Sequence, residues 1–256
     1  MRAAIALGLL VLAAAPVAAQ DPIDRGVRVG ITYTAGTRPR LVILPGAGLD
    51  SVRAILQRDL DFSDRFEVLP LEAGAAASGS TVNYQLYRTL GAEYGVDVRS
   101  DAAGVVVRLH DIGTGTVRQQ QPFPLPAQSA PGFRMAVHRV SDEVVRWVTG
   151  TPGVAATRLV VLMNKRAYRV DSDGADVTPI TPASETVLSP TWSPDGRYVA
   201  YTRFLDGAGP IMLHDMATER SQRVFGTESQ LKDTPAFTPD GRSLAFARTA
   251  QDGGTD

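Results

Sequence analysis

The chain has 256 residues, a formal charge of −1, 44% hydrophobic residues and no cysteine. That length holds one or two domains with sizeable cores. The balanced charge excludes a broad nucleic-acid or anionic-membrane surface, which needs clustered Lys and Arg, and the lack of cysteine leaves packing alone to hold the fold.

The first stretch, MRAAIALGLLVLAAAPVAAQ, reads as a secretory signal over residues 1–19. Arg2 supplies the positive start, residues 3–15 the apolar middle, and Val17-Ala18-Ala19 a small-residue cleavage site. An uncleaved anchor is the alternative, but the apolar run falls short of the ~20 residues that span a bilayer. The mature chain is therefore expected to be exported, with no transmembrane segment. Residues 20–37 follow as a separate segment, in which Val27, Val29 and Ile31 alternate with Arg28 and Gly30 in a strand-like pattern.

Residues 38–152 alternate between strand and helix signals. The run 40–44 (RLVIL) is a short buried strand ended by Pro45-Gly46. Asp50 or Ser51 is placed to cap a helix through Leu60, with Val52, Ile55, Leu56 and Leu60 on one stripe. Residues 66–69 predict a second strand and 84–95 a second helix. Residues 104–112 and 116–123 form a hairpin around Gly113-Thr114-Gly115. Residues 133–149 carry an apolar stripe on Phe133, Ala136, Val137, Val140, Val144 and Val148, closed by Gly150. Gly46-Ala47-Gly48 invites a phosphate-loop reading, but it lacks both the third glycine of a dinucleotide fingerprint and the Lys-Ser/Thr of a Walker loop; a plain turn fits better. Residues 73–80 (AGAAASGS) read as a low-complexity loop.

The remaining residues, 153–256, contain a repeat. PTWSPDGRYVAYTR at 190–203 returns as PAFTPDGRSLAFAR at 235–248, a period of 45, with seven of fourteen positions identical. Pro190 matches Pro235, Trp192 matches Phe237, and Pro194, Asp195 and Gly196 match Pro239, Asp240 and Gly241. Proline sets φ at the second position of a type I turn, aspartate tolerates the third, and glycine takes the left-handed fourth. That turn closes a three-residue hairpin with a bulge. Further strand-like runs at 211–215 and 221–225 complete four strands per period, and 167–181 reads as an earlier copy of the second half. Four short strands per ~45 residues is the pattern of a β-propeller blade.

A catalytic reading of Ser193 and Asp195 is weak. Ser193 lacks the Gly-x-Ser-x-Gly elbow, its counterpart is Thr238, and Asp195 recurs as Asp240. His110, His138 and His214 are scattered, with no second His or Cys at metal-ligand spacing. No catalytic residue, metal site or cofactor is expected. His138, among apolar neighbours, is expected to be a partly buried hydrogen-bonding residue.

In order along the chain, these residues resemble the TolB family. The carriers are RPRLVILP at 38–45, Asp59-Leu60 through Asp64-Arg65-Phe66, VRLHDIGTG at 107–115, the junction His138-Arg139-Val140-Ser141-Asp142-Glu143 with Leu159-Val160-Val161, and the repeat motif SPTWSPDG at 189–196. The chain departs from the family pattern at Gly46, in the polar Val96-Asp97-Val98-Arg99, and in the short stretch from Val161 to Tyr168. The resemblance implies an α+β fold: an N-terminal mixed α/β domain over 38–152, then WD40-like β-propeller blades over 153–256, about two of them in an incomplete propeller. A chain ending there is expected to be a fragment of poor solubility, because an unpaired blade edge exposes backbone groups. The resemblance also implies a periplasmic, non-enzymatic protein whose partners are a TolA-like inner-membrane protein and the Pal-like peptidoglycan-associated lipoprotein. Val27, Arg28, Val29 and Ile31 occupy the place of the family's partner-binding segment, where they either add a strand to a partner sheet or pair within their own domain. The other readings are the front of an exported propeller-bearing serine peptidase and a diverged propeller scaffold.

Overall fold

A computed structural model describes residues 38–71, 82–206, 209–226 and 232–248. The signal sequence, Val27, Arg28, Val29, Ile31 and the 73–80 loop lie outside the described residues.

Strand β1 (Arg40–Ile43) pairs in parallel with β2 (Glu67–Leu69) on one side and with β3 (Tyr94–Asp101) on the other. Antiparallel β4 (Gly104–Asp111) and β5 (Thr116–Pro124) complete a five-stranded sheet ordered β2-β1-β3-β4-β5. Leu41, Val42 and Ile43 are all buried, as a strand covered on both faces requires. On one face lie α1 (Asp50–Phe62) and α3 (Phe133–Thr149), packing Leu56, Leu60, Val137, Val140 and Val144 against Val96, Val98, Val107 and Leu109. The other face carries the short α2 (Tyr84–Thr89) over Val42, Leu44, Tyr87, Ala92 and Ile112. None of the described helices is long and apolar enough to cross a membrane.

Two local expectations need correcting. Neither Asp50 nor Ser51 caps α1. Leu49 holds the cap position without a side-chain bond, and Asp50 is the first helical residue, paired 3.2 Å from Arg53. The second helix also stops early. Asn83 caps it by accepting from Leu86 N at 3.1 Å, and Gly91 (φ +76) then turns the chain out of the helix. Gly95, expected to be helical, instead sits in β3, where a Cβ would lie 3.1 Å from the Ile112 side chain. The polar run Val96-Asp97-Val98-Arg99 is thus the middle of the sheet. Val96 and Val98 face the helices, and Asp97 turns the other way to accept from Arg99 Nε at 2.8 Å.

Three further sheets follow. β6 (Arg158–Met163), β7 (Arg166–Asp171) and β8 (Thr178–Pro179) form the first. β9 (Thr186–Trp192), β10 (Tyr198–Phe204), β11 (Ile211–Asp215) and β12 (Arg220–Phe225) form a four-stranded antiparallel meander. β13 (Lys232–Phe237) and β14 (Leu244–Arg248) form the third. β6 and β7 lie against β9, while β13 lies against β9 and β10, so the sheets stack as in a β-propeller and form no closed ring among the described residues. Being sandwiched explains β10, where Val199, Ala200, Tyr201 and Thr202 are all buried although the strand has two faces. Trp192 packs with Val160, Ala167, Val199 and Tyr201 between the first two sheets.

Candidate functional site: repeat corners and a buried histidine junction

The two repeat corners lie in different sheets, and each is closed by the same pattern of hydrogen bonds. In the first, Gly196 N donates to Ser193 O at 2.9 Å and Ser193 N to Tyr198 O at 2.8 Å. The Ser193 hydroxyl donates to Asp195 Oδ1 at 2.5 Å and accepts from Tyr198 N at 2.8 Å, and Arg197 N donates to the same carboxylate at 3.0 Å. In the second corner, Thr238, Asp240, Gly241, Arg242 and Ser243 repeat every bond. The hydroxyl and the following N–H hold both Asp195 and Asp240 below the usual carboxylate range. Ser193 therefore spends its proton on Asp195, and Ser and Thr are interchangeable because only the hydroxyl matters. Gly196 and Gly241 both have φ +70. A Cβ on Gly241 would sit 3.6 Å from Pro194 Cδ, so the corners of adjacent sheets touch.

The first proline of each repeat has its own task. Leu188 and Thr191 pair with β10, and Asp233 and Ala236 with β14, leaving Ser189-Pro190 and Thr234-Pro235 outside the ladder as bulges. Ser189 (φ 47) and Thr234 (φ 52) take left-handed backbone at these bends. A bulge is where a strand tolerates a residue that cannot donate.

The second constellation joins the helices to the first stacked sheet. His138, fully buried on α3, places Nδ1 2.7 Å from Asp59 Oδ2 of α1 and Nε2 3.4 Å from Asp173 Oδ2 in the β7–β8 turn. The Ser141 hydroxyl donates to the same Asp59 oxygen at 2.6 Å. Asp173, 4% exposed in its side chain, accepts from Arg134 Nε at 3.1 Å, and its backbone carbonyl accepts from Arg58 Nη2 at 2.9 Å. Burial works against the imidazolium, yet the Asp59 hydrogen bond and the charges of Asp59 and Asp173 prevail and raise the His138 pKa. Asp173 stays below the usual carboxylate range: burial opposes its charge, but Arg134 and the Ala175 N–H outweigh it.

Nearby, Asp142 accepts from Ala155 N at 2.7 Å and Ala156 N at 2.9 Å, fixing the linker into β6. A cleft of about 150 Å³ opens beside these groups, lined by Arg58, Phe62, Ser141, Val145, Val154 and Asp173 among others. Among the described residues no group of three or more His, Cys, Asp or Glu is placed to hold a metal. Chemically the arrangement is a tether.

Sequence reasoning put His138 and Asp142 at the junction but not their partners. Asp59 falls on the buried stripe of α1 with Ile55, Leu56 and Leu60, and a carboxylate on such a stripe is the signal that points to it. Asp173 leaves no such signal, because Ser172-Asp173-Gly174-Ala175 reads as an ordinary exposed turn.

Comparison with known proteins agrees with this arrangement. A family model described as the TolB β-propeller domain matches residues 145–256. The Tol-Pal system protein TolB of Alcanivorax borkumensis is 32% identical over 212 residues, covering 77% of this chain and 48% of that protein. Its namesake in Bordetella avium is 31% identical over 231 residues, covering 83% and 50%. The crystal structure of TolB from Acinetobacter baumannii superposes with a TM-score of 0.70 over 86% of this chain and 57% of that one, at 24% identity. The chain is TolB-like over these matched lengths. It spans about half the length of the curated TolB relatives it matches. Because the TolB structure covers most of the chain, the stacked sheets are a TolB-like propeller arrangement.

Proposed function

We propose that the chain acts as a periplasmic, non-enzymatic component of a Tol-Pal-type system, engaging a TolA-like inner-membrane protein and a Pal-like lipoprotein in support of envelope integrity and division. In this reading residues 38–152 are the N-terminal α/β domain, the stacked sheets after it present the surface for the Pal-like partner, and residues 20–37 engage the TolA-like one. The observation that carries it is the duplicated corner network: the polar residues of the repeat are consumed in closing turns, as befits a scaffold that acts through its surface. The names of the relatives, Tol-Pal system protein TolB, supply the system.

The test is a titration of the mature chain against the soluble domains of the TolA-like and Pal-like proteins from the same cell. Saturable binding to both is expected, and binding to neither would overturn the assignment.

A further inference from the structure

His138 bridges two carboxylates that belong to different layers. Asp59 comes from α1 and Asp173 from the turn between β7 and β8, while the imidazole sits on α3 with no exposed surface. A neutral imidazole carries one N–H and one lone pair. With the proton on Nδ1, the Nε2 lone pair faces Asp173 Oδ2 at 3.4 Å; with the proton on Nε2, the Nδ1 lone pair faces Asp59 Oδ2 at 2.7 Å. Either neutral tautomer sets a lone pair against a buried carboxylate oxygen. Only the imidazolium presents an N–H to both.

We propose that His138 is a proton-operated latch between the helical layer and the first stacked sheet. The proton's loss releases the Asp173 side first. The Asp59 contact is the shorter one and is reinforced by the Ser141 hydroxyl, whereas Nε2 makes no hydrogen bond among the described residues. The charged and titratable groups facing the latch are Asp59 and Arg58 from α1, Arg134 on its own helix, and Asp173 from the turn. Arg134 and Arg58 still hold Asp173 when the imidazole is neutral, so the latch loosens the 172–175 turn by degrees and does not free it. Loosening widens the cleft beside Arg58, Phe62 and Val154, which lies between the same elements.

The direction follows from linkage. A histidine whose pKa is higher in the closed state contributes fully below its open-state value, and that contribution is lost as pH rises through the closed-state value. Between those two values one proton is coupled to opening, so the opening equilibrium rises about tenfold per pH unit and then levels. His214 has the opposite sign, since burial lowers its pKa; it acts below about 6.5 and does not confuse the window.

The experiment is hydrogen exchange by mass spectrometry on the intact chain from pH 6 to 9, corrected for intrinsic rates, with histidine titrations by NMR. In the wild type, exchange over 171–176 is expected to accelerate with pH along the His138 titration, whose midpoint lies above 6.5. His138→Gln, which keeps a donor and cannot titrate, should flatten the profile. Should that variant not fold, Asp173→Asn provides the check, because removing one carboxylate must lower the His138 midpoint. Identical pH profiles in wild type and His138→Gln, or a midpoint unmoved by Asp173→Asn, would overturn the latch. No partner protein takes part, so failure here leaves the Tol-Pal reading untouched, and the reverse holds as well.

Discussion

Two glycines separate conformational strain from steric crowding. Gly196 takes φ +70 at a corner with open space where a Cβ would stand. Gly153, in the linker after α3, would put a Cβ 3.0 Å from Asp142 Cα and 3.2 Å from Val145 Cγ2. Gly196→Ala is expected to cost about 1 kcal/mol, the ordinary charge for a left-handed L-residue. Gly153→Ala should cost more, because the Asp142 backbone it meets belongs to a packed helix and cannot swing aside. Urea unfolding of both variants measures this, and a larger loss at Gly196 would mean the linker is looser than described. The same residues show what was legible. Glycine in a Pro-Asp-Gly corner announces its φ from sequence, since only the turn explains it. Gly153 gives no such notice, because its requirement comes from a helix that reaches it through space.

At the scale of elements, β10 shows where pattern reading ends. Its hairpin, its corner and its start were all readable from the repeat, because turn chemistry is local. Its double-sided burial was not, because alternation predicts one wet face and the second neighbouring sheet abolishes it. Helix α2 fails for a related reason: 84–95 suits a helix, yet Gly91 turns the chain out of it, and Tyr94 and Gly95 open a strand of the sheet. Within β10, Tyr201 is wholly buried; its hydroxyl donates to Glu185 Oε2 and accepts from the Ser221 hydroxyl, at 3.2 Å each. Burial pushes its pKa up to about 12, against the pull of the Ser221 hydrogen bond. Tyr201→Phe is therefore expected to cost about 1 kcal/mol at neutral pH. The raised value also means that wild-type stability, whole below about pH 10, falls as pH climbs toward 12, and the variant should lose that alkaline decline. Parallel urea titrations at pH 7 and 11 check both parts; an equal alkaline loss in the variant would place the titration elsewhere.

For the whole molecule, the stack of sheets and the helical layer are tied by side chains more than by the chain itself. Asp59, His138, Arg134 and Asp173 span three elements, and Asp142 pins the linker. The repeat announced the stack, since corners 45 residues apart specify identical turns. The tether stayed hidden, apart from one carboxylate on an apolar stripe, because pairing across 79 residues of sequence leaves no local pattern. The proposed function divides the labour, giving residues 20–37 to the TolA-like partner and leaving the folded part as platform. The most direct measurement removes residues 20–32 and titrates the shortened and mature chains against the same TolA-like domain, with near-UV circular dichroism of both. The account predicts binding lost and the spectrum kept; binding retained by a chain of unchanged spectrum would contradict it.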